Sequence, residues 1–269
     1  MSLIDRALGV PRRVFSGTAL LVLGRLYGSA CTFATLYLLA RQLDRAAFGR
    51  LTFYLALFLV LDSLADLGTG QVVVQRTASS PAEVGSILVT ARRLRLITGL
   101  CGVLVVGGGA FLAGESGAPW ILLASLYPVT HVLELSTVVF KSQIAWSRPV
   151  LVRMCATTAS LGCVLGGLAL DWREPALFLL AVACGSTLGN FLLHAVARSS
   201  LPRGPFAPFP MRKLLASALP MGVAGLCQQV YFYVDNLFVR AIVGEGQLGP
   251  YNIAVRIMSY AIMIPVYAA

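Results

Sequence analysis

Residues 36–54, LYLLARQLDRAAFGRLTFY, and residues 236–254, NLFVRAIVGEGQLGPYNIA, present one pattern twice in the chain. In each stretch an apolar run ends, a short polar turn follows, and a second apolar run begins at Gly49 or Gly249. Each stretch therefore predicts a helix–turn–helix hairpin. Internal repeats are typical of transporters, in which the substrate site lies where the repeats face each other. The two hairpins thus predict two related helical units.

The composition indicates a protein that lies in a membrane. Hydrophobic residues make up 58% of the chain, charged residues make up 12%, and the mean hydropathy is +0.81. Soluble domains carry about twice that share of charge. Apolar stretches of about 20 residues, long enough to cross a bilayer, recur along the chain. We predict an all-α polytopic membrane protein with about eight spans, at residues 14–40, 49–75, 96–113, 118–140, 150–170, 175–197, 214–240 and 251–269.

The basic residues predict the orientation of the spans. Of the 21 Lys and Arg residues, fourteen lie on the side of the N-terminus in this topology and five lie on the opposite side. Cytoplasmic ends of spans carry an excess of Lys and Arg, so we expect a cytoplasmic N-terminus. The net charge of +10 then follows from topology, and we expect no nucleic-acid partner.

A proline-rich segment divides the chain. Residues 199–213, SSLPRGPFAPFPMRK, carry four prolines and predict a semi-rigid cytoplasmic linker. We expect a complete six-helix lobe at 1–198 and the start of a second, pseudo-symmetric lobe at 214–269. Since 214–269 holds only two predicted spans, we expect the second lobe to be truncated, either because the chain is a fragment or because a partner supplies the rest.

The six cysteines lie inside the predicted spans, with no closely spaced pair and no adjacent histidine. Such cysteines are typical of apolar packing positions. We therefore expect no disulfide framework, no metal site and no cofactor.

The ordered motifs of both hairpins resemble a known family, the oligosaccharide and polysaccharide flippases of the multidrug/oligosaccharidyl-lipid/polysaccharide exporter superfamily. The matching elements are Leu43, Phe48-Gly49, Asp66-Leu67-Gly68, Pro220, Asp235 and Gly249-Pro250-Tyr251. The resemblance implies two lobes around a central cavity, and movement of a polyprenyl-diphosphate-linked oligosaccharide between the leaflets of a bacterial or archaeal cytoplasmic membrane. It also implies contact with membrane lipids and a coupling ion, H⁺ or Na⁺.

Charges inside spans are candidates for the site, because they are costly unless they face a cavity or a partner. Arg25 lies near the middle of the first span. Its guanidinium suits a diphosphate, since it donates parallel hydrogen bonds and stays charged. The alternative is a structural ion pair with Asp62 or Asp235. The resemblance to related lipid II flippases implies that Arg50 and Arg256 also line the cavity.

The acidic residues of the spans suggest ion coupling. Asp62 and Asp66 are four residues apart on one face of the second span, where two close carboxylates favour a proton or Na⁺ site. The alternative is that Asp66 caps the inner end of its helix. Asp235 is a third candidate, for ion coupling or for pairing with the first-span arginine. We expect His131 and Glu134, three residues apart, to make interhelix hydrogen bonds.

Other functions fit the sequence less well. A multidrug or cation antiporter of the same superfamily would favour acids over arginines in its cavity. A membrane glycosyltransferase or polysaccharide polymerase would need a large outer loop or paired catalytic acids. The predicted outer connections are only a few residues long and offer only Asp171 and Glu174. We therefore expect a transporter and no enzyme.

Overall fold

The computed structural model describes residues 12–142, 145–202 and 204–268 of the chain, with side chains left out at 12–16, 18, 81, 142, 256 and 259–268. The described residues form α-helices and short 3₁₀ turns, with no strand among them. The helices are α1 (Arg12–Gln42), α2 (Arg45–Asp66), α3 (Thr69–Ser79), α4 (Val84–Leu112), α5 (Ala118–Ala124), α6 (Tyr127–Glu134), α7 (Val138–Ser142), α8 (Ser147–Ala169), α9 (Pro175–Ala197), α10 (Met211–Tyr233), α11 (Asp235–Ile242) and α12 (Glu245–Ala268).

Seven stretches of the described chain are long and apolar enough to cross a membrane. They are Ala19–Gln42, Arg45–Asp66, Val84–Leu112, Ala118–Lys141, Ser147–Ala169, Pro175–Ser200 and Met211–Ile242. The prediction of an all-α polytopic membrane protein is thereby confirmed. The eighth predicted span, 251–269, falls on α12, and most of its side chains lie outside the described residues.

The predicted inner end of the second span, 49–75, was wrong. The helix α2 stops at Asp66, because Leu67 and Gly68 adopt left-handed backbone conformations with φ of 45° and 72°, and α3 begins at Thr69. A left-handed residue ends a helix, since its carbonyl and amide no longer point along the axis. The apolar pattern continues past this break, so the predicted span ran on to residue 75, whereas the alternative of Asp66 as a helix cap agrees with the observed end.

Two other spans also differ from their predicted form. The third begins at Val84 and not at residue 96, so Arg92, Arg93 and Arg95 lie within α4. One of them, Arg95, is 7% exposed. The fourth span consists of the short helices α5, α6 and α7.

The helical bundle has two ends, which we call the hairpin side and the linker side. The hairpin side carries the α1–α2 turn at residues 43–44 and the α11–α12 turn at 243–244, and the linker side carries residues 198–210. At the first turn, the Asp44 carboxylate accepts a hydrogen bond from the Ala47 amide at 2.8 Å and caps α2.

The helix α2 occupies the centre of the packing, where it contacts α4, α9, α10 and α12. Its side chains Phe48, Phe58 and Leu61 join an apolar core with residues of α1, α4, α5, α8 and α9. A second core, which includes Val73, Ile87 and Leu214, joins α3, α4, α7 and α10. Residues from both ends of the chain are therefore packed on one central helix.

Candidate functional site

A cavity of about 350 Å³ lies among α1, α6, α7 and α8. Its described lining contains three cations, Arg25, Lys141 and Arg153, and one acid, Glu134. We call it the cation-rich cavity. Three cations and one acid thus line a single space in a span region, where charges are costly unless they face a cavity or a partner.

Close packing of α1 on α8 brings two of these cations to the same cavity. Gly24 lies so near to Val150 that a Cβ atom there would come within 2.5 Å of its Cγ1 atom. Small residues permit such helix approach in membranes. The Tyr27 hydroxyl and the Thr158 Oγ1 atom, 2.6 Å apart, make a second link between these helices. Arg25, one residue from this contact, therefore lies beside the cavity wall that α8 provides.

A second cavity, of about 310 Å³, lies next to the first and shares Glu134, Thr137 and Lys141 with it. Its lining includes Asp62 and Asp66, so we call it the carboxylate-rich cavity. The predicted pair of carboxylates thus does face a common space.

A chain of contacts links the two cavities. The Asp62 Oδ1 atom lies 2.6 Å from the His131 Nδ1 atom, which in turn lies 3.4 Å from the Glu134 Oε2 atom. The other Glu134 oxygen, Oε1, accepts a hydrogen bond from the Arg153 Nη2 atom at 2.6 Å. His131 and Glu134 therefore bond across helices, as we expected, and they join one acid of α2, Asp62, to a cation of α8, Arg153.

Asp66 is held by several donors at the break after α2. Its Oδ1 atom accepts hydrogen bonds from the Gly70 amide at 3.0 Å and from the Arg95 guanidinium. Arg95 also donates to the Thr69 hydroxyl and to the His131 carbonyl oxygen, both at 3.0 Å. These contacts favour the alternative in which Asp66 braces the end of its helix.

The remaining predicted site residues lie elsewhere. The Arg50 Nε atom is 3.8 Å from the Glu245 Oε2 atom on the hairpin side, away from Arg25. Asp235 accepts a hydrogen bond from the Tyr251 hydroxyl, also on the hairpin side. The side chain of Arg256 lies outside the described residues. The structure thus brings Arg25, Asp62 and Asp66 to linked cavities and separates Arg50 and Asp235 from them.

A cluster of charges closes the hairpin side, and we call it the hairpin-side ion cluster. Arg240 of α11 donates to Glu115 at 3.0 Å and to Glu245 of α12 at 2.7 Å. Its guanidinium carbon lies 4.4 Å from the centre of the Phe53 ring of α2. All three charged side chains are less than one-third exposed. The cluster therefore ties the α4–α5 loop, α2, α11 and α12 together.

Sequence reasoning did not identify Lys141 and Arg153 as site candidates, and both belong to the fourteen basic residues counted on the side of the N-terminus. Arg153 lies six residues after the start of α8, roughly 9 Å along the helix. A basic residue that anchors a helix at the membrane interface lies near the end of that helix. The greater depth of Arg153 could therefore have identified it as a site candidate.

A family model described as polysaccharide biosynthesis protein matches residues 14–269. No similar protein was found among curated proteins, and none was found among solved structures. The family match covers nearly the whole chain, including both hairpins and both cavities, and it confirms the resemblance that the hairpin motifs indicated. The chain belongs to the polysaccharide biosynthesis protein family, the family of polysaccharide flippases within the multidrug/oligosaccharidyl-lipid/polysaccharide exporter superfamily.

Proposed function

We propose that this protein is a transporter, and no enzyme, that moves a polyprenyl-diphosphate-linked oligosaccharide from the inner to the outer leaflet by alternating access, for surface polysaccharide synthesis. The family supports a role in polysaccharide export. The observation that carries the substrate class is the cation-rich cavity, with Arg25, Lys141 and Arg153 around one acid.

The charge of this cavity matches a diphosphate headgroup. Its described lining carries three cations and Glu134, which leaves two positive charges in excess. A diphosphate that links a lipid to a sugar carries two negative charges. Two of the three cations are arginines, whose planar donors bind phosphate oxygens in parallel pairs. The headgroup would therefore neutralise the cavity, while the polyprenyl chain stays among the lipids.

The position of the cavity suggests the direction of entry. Its residues Lys141 and Trp146 lie at the linker side, which the positive-inside rule places in the cytoplasm. The hairpin-side ion cluster closes the opposite side. In a bacterial or archaeal cytoplasmic membrane, a headgroup would thus enter from the inner leaflet, where lipid-linked sugars are made.

A cation or drug antiporter is the second candidate, because the carboxylate-rich cavity contains Asp62 and Asp66. Those acids already have partners, however, since Asp66 binds Arg95 and Asp62 contacts His131. An organic cation would have to displace these groups, so the anionic substrate is favoured. The same acids remain candidates for the coupling ion, H⁺ or Na⁺.

A glycosyltransferase or polymerase has less support. Asp171, one of its two candidate acids, makes an exposed ion pair with Arg173, two residues along the same loop. A surface pair of this kind is typical of a solvated turn.

A binding titration tests the substrate class. The full-length protein in lipid nanodiscs would be titrated with farnesyl-diphosphate-linked N-acetylglucosamine. Loss of one charge-assisted hydrogen bond costs about 1.5–3 kcal/mol, so we expect Arg25→Ala and Arg153→Ala to weaken binding about 10- to 150-fold. Arg173→Ala, in the exposed loop, is the matched control and should bind normally. Equal binding by all three variants would contradict the proposal, as would competition by an organic cation.

A further inference from the structure

We propose that Glu134 is an internal counterion that pairs with Arg153 while the cation-rich cavity is empty and turns to His131 when a headgroup takes Arg153, so that a proton is bound together with the headgroup. This inference rests on the proposed function, because it requires an anion in that cavity.

The geometry places Glu134 between two alternative partners. One carboxylate oxygen is 2.6 Å from Arg153 and the other is 3.4 Å from His131. The side chain lines both cavities and is 23% exposed. A small rotation of the carboxylate would therefore lengthen one contact and shorten the other.

An incoming headgroup competes directly for Arg153. The Arg153 side chain is 44% exposed and lines the cation-rich cavity, so an anion there can reach it. A diphosphate carries twice the charge of a carboxylate, and Coulomb attraction at equal distance doubles with charge. Lys141 and Arg25 line the same space and also attract the headgroup. The total attraction of the cavity for the headgroup therefore exceeds its attraction for Glu134.

His131 can take the charge that balances Glu134 after this exchange. His131 is 7% exposed, the Nδ1 atom of its ring lies near two carboxylates, and its Nε2 atom has no hydrogen-bond partner among the described residues. With Arg153 on Glu134, a neutral ring that donates to Asp62 satisfies Nδ1. When Arg153 leaves, two carboxylates face the ring, and a positive imidazolium between them becomes favourable.

The other groups around His131 come from several elements. They are Asp62 of α2, Arg95 of α4, Tyr127 and Glu134 of α6, Lys141 of α7 and Arg153 of α8. Asp62 brings a negative charge close to the ring, whereas Lys141 brings a positive one to the same cavity. Arg95 is held by Asp66, so its charge is already balanced. The exchange therefore leaves Glu134 without the positive charge of Arg153. A proton on His131 replaces that charge.

The same exchange explains how an empty transporter could close. A cation that is buried without a counterion is strongly unfavourable. Glu134 supplies that counterion when no headgroup is present. Glu134 thus balances one of the three cations in the empty state, and the headgroup balances two of them in the loaded state.

Calorimetry with the full-length protein tests the proposal. Farnesyl-diphosphate-linked N-acetylglucosamine would be titrated near neutral pH in buffers of different ionisation enthalpy, which reports the protons bound per ligand. The diphosphate of this probe carries no group that titrates near neutrality, so any uptake belongs to the protein. We expect uptake approaching one proton by the unaltered protein, and the same uptake by the control Asp171→Asn.

Variants of the two partners should separate binding from uptake. Glu134→Gln should bind the probe about tenfold more tightly, because the internal competitor is lost, and should take up no proton. His131→Gln should bind the probe without uptake. Glu134→Asp keeps the charge and should retain uptake, which provides a second test if Glu134→Gln does not fold.

The outcomes distinguish this inference from the function on which it rests. Binding without proton uptake by the unaltered protein would overturn the counterion exchange and leave the substrate assignment standing. Unchanged uptake in Glu134→Gln would overturn it too. Absence of probe binding in the unaltered protein would overturn both proposals.

Discussion

Gly49 lies directly against the backbone carbonyl of Glu245, with no room for a side chain between them. In the reverse sense, Gly249 lies against the ring of Phe48. Gly49 and Gly249 hold equivalent positions in the two hairpins, so the repeated pattern of the sequence forms a reciprocal contact between them. This contact and the hairpin-side ion cluster close the same end of the protein.

Gly49→Ala should weaken that closure. The added methyl group would meet a backbone atom, which cannot move aside as a side chain can, and overpacking of this kind costs about 1–3 kcal/mol. We expect a lower thermal unfolding midpoint for the full-length protein in detergent. Gly246→Ala is the control, since no atom lies within 4 Å of its Cβ position. Equal midpoints for the two variants would show that the hairpins do not depend on this contact.

Arg240→Ala should destabilise the hairpin-side ion cluster. It would leave Glu115 and Glu245 close together, both mostly buried, without their shared cation. Removal of one partner from a buried pair costs about 3 kcal/mol at the lower end of the usual range. Unfolding in detergent would measure the loss. Arg173→Ala breaks an Asp171 contact of similar length that is exposed, and it should change nothing measurable. A stable Arg240→Ala variant would contradict this account.

Arg95 should behave as a structural residue. It is buried and bonds Asp66, Thr69 and the His131 carbonyl oxygen, so Arg95→Ala should destabilise the protein strongly. Removal of Asp66 as well, in Arg95→Ala with Asp66→Ala, should restore part of the stability, because the second change removes the unpaired carboxylate. A normal unfolding midpoint for Arg95→Ala, together with lost headgroup binding, would instead place Arg95 in the binding site.

Much of the fold could be predicted from the lengths of the apolar runs. The apolar run alone does not predict the break after Asp66, which only the alternative of Asp66 as a helix cap anticipated. The break depends on the left-handed Leu67 and on Gly68, which lies against Ala218 of α10. That contact joins residues about 150 positions apart, and no local pattern contains it.

Only those features of the candidate site that depend on a single helix could be predicted from the sequence. Arg25 stands out because a charge in the middle of a span is costly. The contacts of His131 with Asp62, and of Glu134 with Arg153, depend on which helices are neighbours. Spacing along a single helix predicts which residues share a face, but it does not predict which partner that face meets.

The linker should be cytoplasmic. The excess of Lys and Arg on its side predicts this orientation. In a cysteine-free background, Pro205→Cys should not react with a membrane-impermeant thiol reagent in intact cells, and it should react after permeabilisation. Labelling in intact cells would reverse the orientation and the proposed direction of entry.

Translocation itself tests the central claim most directly. The full-length protein would be reconstituted in liposomes that carry a fluorescent polyprenyl-diphosphate-linked oligosaccharide, and bleaching by an impermeant reductant would follow its arrival in the outer leaflet. We expect the unaltered protein and Arg173→Ala to move the lipid, Arg25→Ala and Arg153→Ala to lose most of the rate while remaining folded, and Arg25→Lys to recover only part of it. Translocation by Arg25→Ala and Arg153→Ala at the unaltered rate would contradict the claim that the cation-rich cavity carries the headgroup.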